Sequence, residues 1–247
     1  IKSRFIEMFG NSSSGEFDGQ AAKLGSILRK PASNGFFARK SDYVDSGNAG
    51  VIGVTNVVNR LYSGIENLPR ANATQRDIEK YELSYGDMLF CRSSLVPEGV
   101  GKASVVPPDV QPGTLFECHV IRLPLDLEKC LPEFMQIQTS MMMFRRQVMA
   151  KAKTSTMTTI DQKSLLDCVV NLPPIEKQET FLVFLNQINK LRFDDLSRLF
   201  PPHSPPNRKP ELRMTRCSGK RPVTSSFPRG VNSTTARIHS FRAPTWR

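Results

Sequence analysis

The segment Leu172-Pro173-Pro174-Ile175-Glu176-Lys177-Gln178-Glu179 constrains the chain more than any other. Each proline lacks a backbone N–H and holds φ at about −65°, so the pair is excluded from a helix interior and from a central strand. The first turn of a helix accepts proline, because its backbone donors have no intrahelical partner anyway. Upstream, Leu165–Leu172 reads as a strand; downstream, Phe181, Leu185, Ile188 and Leu191 fall on a heptad-like seam that Phe184 widens. The segment therefore marks a passage from a strand into a helix that leaves a globular body. That helix is expected to run to about residue 199, where Pro201, Pro202, Pro205, Pro206 and Pro210 forbid its continuation.

The body before the junction mixes both periodicities. Ile1–Phe9 places Ile1, Phe5 and Met8 on one helical stripe with Ile6 and Phe9 beside it, and Gly10 is a suitable stop. The chain begins with Ile1 rather than Met, so a fragment is expected, with the start of this helix missing. Asn11–Gly19 reads as a polar loop, Lys23–Leu28 as a short strand or turn, and Pro31–Gly50 as loop-rich. Val51–Val58 is dense in β-branched residues and predicts a buried strand. Thr74 and Asp77 have capping-box spacing for a short helix through Tyr81. Asp87–Arg92, Val100–Val106 and Thr114–Leu123 predict further strands. Pro132 opens a predicted helix to about Ala150, with Phe134, Ile137, Met141, Phe144 and Val148 on its apolar stripe and Met141–Met143 read as core filling. The expected fold class is α/β, in the mixed α+β sense: a small twisted sheet with packed helices, flanked by coiled-coil helix segments.

Charge is unevenly placed. Residues 1–190 hold 22 Lys/Arg against 20 Asp/Glu, whereas 191–247 hold 12 against 3. The overall charge of +11 therefore says little about the body, and any anion-binding surface there must come from local clustering. Residues 200–247, rich in Arg, Pro, Ser and Thr, read as a disordered basic tail; a shifted reading frame would produce the same abrupt loss of pattern. No apolar run approaches the ~18 residues of a membrane span. Cys91, Cys118, Cys130, Cys168 and Cys217 form no C-x-x-C pair, which argues for reduced thiols in a cytoplasm-like compartment. His119, His203 and His239 give no zinc pattern with them, and His119 is assigned a structural or surface role.

Familiar catalytic patterns are incomplete. Gly99-Val100-Gly101-Lys102-Ala103 ends like a phosphate-binding loop, but Val96 stands where the first glycine belongs and Ala103 where the metal-ligating hydroxyl belongs. In Asn171-Leu172-Pro173-Pro174, Leu172 interrupts an amino-methyltransferase motif. Asp109 is followed by Glu117-Cys118-His119, which lacks the lysine of a metal nuclease, and no G-x-S-x-G is present.

The order of Ile1–Gly10, Lys23–Ile27 (KLGSI), Val51–Val57 (VIGVTNV), Gly86–Ser94 (GDMLFCRSS), Gly101-Lys102 and Leu172–Gln178 resembles one target-recognition domain of a type I restriction–modification specificity subunit, across roughly residues 1–195. The resemblance implies the end of a spacer helix at 1–10, a DNA target-recognition domain at 20–173 and the start of a second helix at 174–199. It implies a non-catalytic, cytoplasmic, prokaryotic subunit that reads half of a split site in double-stranded DNA. In that family, modification (methyltransferase) subunits use S-adenosylmethionine, restriction subunits use ATP and Mg, and the specificity subunit binds no cofactor itself. The chain holds one recognition domain where the family has two, and a remnant acting as a protein-interaction module is the alternative; an unrecognised nuclease or methyltransferase is a third.

For a DNA reader, cations grip phosphates, and Arg, Lys, Asn, Gln, Ser and Thr read base edges. The densest cluster is Arg145, Arg146, Lys151, Lys153, Thr154, Ser155 and Thr156, which holds no acid; the competing assignment is a solvated helix end. Arg92, Ser93 and Ser94 form a second candidate, Lys102 a third, and Arg39, Lys40 and Tyr43 a fourth.

Overall fold

The computed structural model describes residues 1–10 and 19–199. The expected basic tail therefore lies outside the described residues, as does the loop over 11–18, and so do Cys217 and the Leu191 side chain. In chain order the elements are α1 (Lys2–Phe9), β1 (Gln20–Lys23), a 3-10 turn (Leu24–Ile27), β2 (Ser33–Asn34), a 3-10 turn (Lys40–Asp42), β3 (Ala49–Ile52), α2 (Val54–Val57) and β4 (Arg70–Ala71). They continue with α3 (Gln75–Tyr81), β5 (Asp87–Cys91), β6 (Ser93–Ser94), a 3-10 turn (Pro97–Gly99), β7 (Ala103–Val105), β8 (Thr114–Phe116) and β9 (Val120–Pro124). The last are α4 (Pro132–Thr139), α5 (Met142–Lys151), β10 (Lys153–Thr154), β11 (Thr158–Thr159), α6 (Gln162–Leu166), β12 (Val169–Leu172) and α7 (Ile175–Leu199).

The class is mixed α/β, but the strands divide among several small sheets: β2-β9-β5-β7, β4-β3-β8, β10-β11-β6 and β1-β12. In the first of these, β5 is buried along its whole length. Successive side chains leave a strand on opposite faces, so Met88 and Phe90 join the main core with Phe134, Phe144 and Val148, while Leu89 joins a second core with Ile52, Phe116 and Val120. One strand thus seats two hydrophobic layers.

Local signals held where they were self-contained. Thr74 Oγ1 accepts from the Asp77 N–H and the Asp77 carboxylate accepts from the Thr74 N–H, closing the predicted capping box. Gly10 adopts φ 83° after α1.

Longer expected elements were broken by tertiary partners. The Val51–Val58 strand stops at Ile52, because the Gly53 N–H donates to Asn56 Oδ1 and the Val54 N–H to Glu117 Oε1, winding Val54–Val57 into a helical turn. Thr114–Leu123 is two strands in different sheets: β8 runs parallel to β3 and β9 antiparallel to β5, with a turn closed by Val120 N–H on Glu117 O. Of Val100–Val106 only Ala103–Val105 is strand. The Pro132–Ala150 helix breaks at Ser140–Met141, where Met141 is extended (φ −77°, ψ 153°). The Thr139 and Ser140 hydroxyls donate back to Gln136 O and Ile137 O, competing with continuation of the helix. The five stripe residues are all buried, yet Met142 is 66% exposed, so it does not fill the core. Leu165 and Leu166 end α6 rather than start a strand; Asp161 caps that helix through Ser164 N–H.

The junction itself is tightly built. β12 pairs with β1 on one side, Val170 opposite Ala22 and Leu172 opposite Gln20. Its other edge is met by side-chain amides. Gln147 accepts from the Val169 N–H at 2.7 Å and donates to Val169 O at 2.9 Å, and Gln138 does the same at Asn171, donating to its carbonyl at 2.8 Å. The two glutamines act as peptide surrogates from α4 and α5. Beyond the prolines, Gln178 is fully buried. It accepts from the Leu131 N–H at 2.9 Å and donates to Lys129 O at 3.1 Å and Pro173 O at 2.8 Å. Phe181 then meets Phe5, Phe9 and Phe134 with ring centroids 5.3, 5.7 and 6.2 Å away. Helices α1 and α7 share this aromatic cluster and are parts of one core.

Glu133, in the first turn of α4, is buried and accepts hydroxyl protons from Tyr62 at 2.9 Å and Tyr85 at 3.1 Å on one oxygen. Burial, then the Glu133 charge, then this hydrogen bond push Tyr85 up to about 12 and raise Tyr62 as well. A raised tyrosine pKa means that the neutral phenol is favoured in the folded state. This contribution is complete below about pH 10 and is lost as pH rises through the folded values. Thermal stability should therefore decline steeply between about pH 10 and 12. The Tyr62→Phe, Tyr85→Phe double variant should show a shallower decline, measured by circular dichroism melts; equal slopes would reject the coupling.

Candidate nucleic-acid interface

Residues far apart in sequence meet on the sheet β10-β11-β6. Ser94 lies opposite Thr158 and Ser93 opposite Thr159; on the other side of β11, Thr154 lies opposite Thr158 and Lys153 opposite Thr159. Every strand position in this sheet is Ser, Thr or Lys. The other sheets carry apolar side chains into the cores; this one has none to bury. Thr158 is buried and shares a 3.0 Å hydrogen bond between hydroxyls with Thr154. Lys153, Thr154, Ser155 and Thr156 are exposed, and the Ser155 N–H donates to Met157 O across the hairpin tip.

Arg92 enters this sheet from β5. Its N–H donates to His119 O, its carbonyl accepts from the Ile160 N–H, and its guanidinium donates to Cys118 O at 3.3 Å. The first and second sequence candidates thus form one surface. The fourth borders the same 117–119 turn, since Glu117 and Cys118 are electrostatic neighbours of Tyr43, whose pKa is raised by burial and then by them. Arg39 and Lys40 are exposed in that loop, whose turn is fixed by the Arg39 N–H donating to the Asp42 carboxylate at 2.7 Å.

Other members of the densest cluster face elsewhere. The half-buried Arg145 guanidinium donates to Val100 O at 2.7 Å and Glu98 O at 2.8 Å, bracing the turn before β7; burial lowers its pKa. Arg146 is exposed on α5. Lys151 bears electrostatically on Asp167 and Cys168, beside β12 rather than on the hairpin. Lys102 donates to Asn59 Oδ1 at 2.7 Å. Among the described residues, no group of three or more His, Cys, Asp or Glu is placed to hold a metal, and no helix is long and apolar enough to cross a membrane.

Sequence reasoning missed Thr158 and Thr159, which complete the polar sheet; the hydroxyl density of Lys153–Thr159 was the signal available.

No protein-family model and no curated protein sequence matches the chain. Solved structures do. The HsdS subunit from Thermoanaerobacter tengcongensis superposes with a TM-score of 0.53 at 19% identity, over 80% of this chain and 44% of that one. A chain from a structure concerned with complex assembly and conformational transition of the type I restriction–modification system superposes with a TM-score of 0.54, also at 19% identity, over 80% and 45%. The fold is that of a type I S subunit. At this identity the likeness is one of architecture, and the chain spans under half the length of those S-subunit structures. The shared fold leaves the assignment of contact residues to the geometry above.

Proposed function

We propose that this chain is a DNA half-site reader, the specificity component that directs the modification and restriction subunits of a type I complex to their sites in the cytoplasm. The observation that carries this reading is the β10-β11-β6 sheet. A sheet composed wholly of Ser, Thr and Lys gains nothing from apolar burial, and it presents hydroxyls and an ammonium at an exposed hairpin. Such groups read base edges and hold phosphates. Arg92 and the Arg39–Tyr43 loop extend the surface around the 117–119 turn. The S-subunit fold supports the same assignment. Catalysis and its cofactors, S-adenosylmethionine, ATP and Mg, belong in this reading to the partner subunits.

Lys153 and Lys151 provide the test. Each phosphate contact removed should lower the slope of log affinity against log salt by about one. Lys153→Ala should do so on any duplex, whereas Lys151→Ala, turned towards Asp167, should leave the slope unchanged. Fluorescence anisotropy with duplexes over a salt series reads both. Equal, undiminished slopes in the two variants, or no duplex binding by the parent chain, would overturn the assignment.

A further inference from the structure

We propose that the cavity between α1, α5 and the turn preceding β7 binds a phosphate group. The cavity measures about 280 Å³ and is lined by Lys2, Lys102, Arg145, Asn59 and Ser140 among others, with no carboxylate in its wall. Its three cations come from three separate segments, and none closes an ion pair among the described residues. Three like charges around a shared space repel one another, and an anion between them relieves that repulsion. Glu98 lies in the wall of an adjoining groove that Lys2, Lys102 and Arg145 also line.

The cations are held in place without one. Lys102 Nζ is anchored 2.7 Å from Asn59 Oδ1, and Asn59 sits in the left-handed region at φ 60°. Arg145 is fixed by its two carbonyl partners and keeps further N–H donors uncommitted. Gly101 makes the arrangement possible. It has φ 68°, and a Cβ there would come within 2.5 Å of Val148 and 3.3 Å of the Arg145 guanidinium. The stretch Gly99–Lys102 has the ending of a phosphate loop without its helix or hydroxyl; here it turns into β7 and delivers Lys102 to the cavity wall.

The phosphate can come from a duplex backbone or be free in solution. Inorganic phosphate is titrated into the full chain and followed by amide chemical shifts. Saturable shifts at Lys102, Ala103 and Ser140 are expected in the millimolar range, reduced at least tenfold in affinity by Lys102→Met and several-fold by the exposed Lys2→Met, both with parental melting curves. A duplex is then added. Displacement of phosphate assigns the cavity to a backbone phosphate; simultaneous binding assigns it to a free one. No saturable shift, or parental affinity in Lys102→Met, overturns the proposal. Duplex binding without phosphate binding refutes the cavity alone, and phosphate binding without duplex binding refutes the half-site reading alone.

Discussion

Alanine at Phe181 is expected to lower folding stability by about 4 kcal/mol, the usual scale for removing a fully buried phenyl ring. The ring is 0% exposed and touches Phe5, Phe9, Phe134 and Phe184. Each of these contacts adds a little beyond area burial when tilted or edge-to-face. The cavity cannot collapse easily, since its walls are contributed by α1, α4 and α7 at once. Chemical denaturation should show a lower midpoint with an unchanged slope. Phe181→Leu should recover much of the loss. A cost below about 1 kcal/mol for the alanine variant would mean that α7 is not part of the core.

Gln178→Ala should cost a comparable amount, about 3 kcal/mol, by a different route. It strands one buried carbonyl, Pro173 O, and two partly buried groups, Leu131 N–H and Lys129 O, and each buried group left unpaired costs about 1–3 kcal/mol. The near-isosteric Gln178→Met should restore volume but not stability, which separates hydrogen bonding from packing. Gln178→Glu should be unstable at neutral pH, because a carboxylate cannot donate to Lys129 O or Pro173 O and would be buried without a cation. Burial raises the pKa of such a carboxyl, so this variant should gain stability as pH falls. Indifference of its midpoint to pH between 4 and 7 would contradict the proposed environment of residue 178.

These two residues show what could and could not be read from the chain beforehand. Phe181 stood out through spacing, and its burial followed. Gln178 looks like an ordinary polar position in a charged first turn; only the approach of residues 129–131, far away in sequence, gives its amide two of its three partners. Gln138 and Gln147 are similar: helical glutamines that pass for surface residues until β12 lies beside them. Elements defined by neighbours three residues apart were legible, as at Thr74 and Asp77. Elements ended by a distant side chain were not, as where Glu117 captures the Val54 N–H. The same division runs through the candidate interface. Lys153–Thr156 and Arg92–Ser94 were visible as separate polar clusters, but their union depends on the Ser94–Thr158 pairing, which no local pattern encodes. Arg145 and Lys151 were grouped with them by sequence proximity, and helix geometry turns them to other faces.

The aromatic cluster shared by α1 and α7 has a mechanical consequence. A helix of 25 residues rises about 37 Å at ~1.5 Å per residue. If it pivoted by 10° at its root, its far end would sweep about 6 Å, close to two base-pair steps of ~3.4 Å. Phe181 and Leu185, locked among Phe5, Phe9 and Phe134, clamp the root instead of leaving a hinge at the prolines. In the half-site reading proposed above, a helix clamped at its root to the body would act as a stiff ruler, and tolerance in the separation of two half-sites would be set at this clamp rather than at the hairpin.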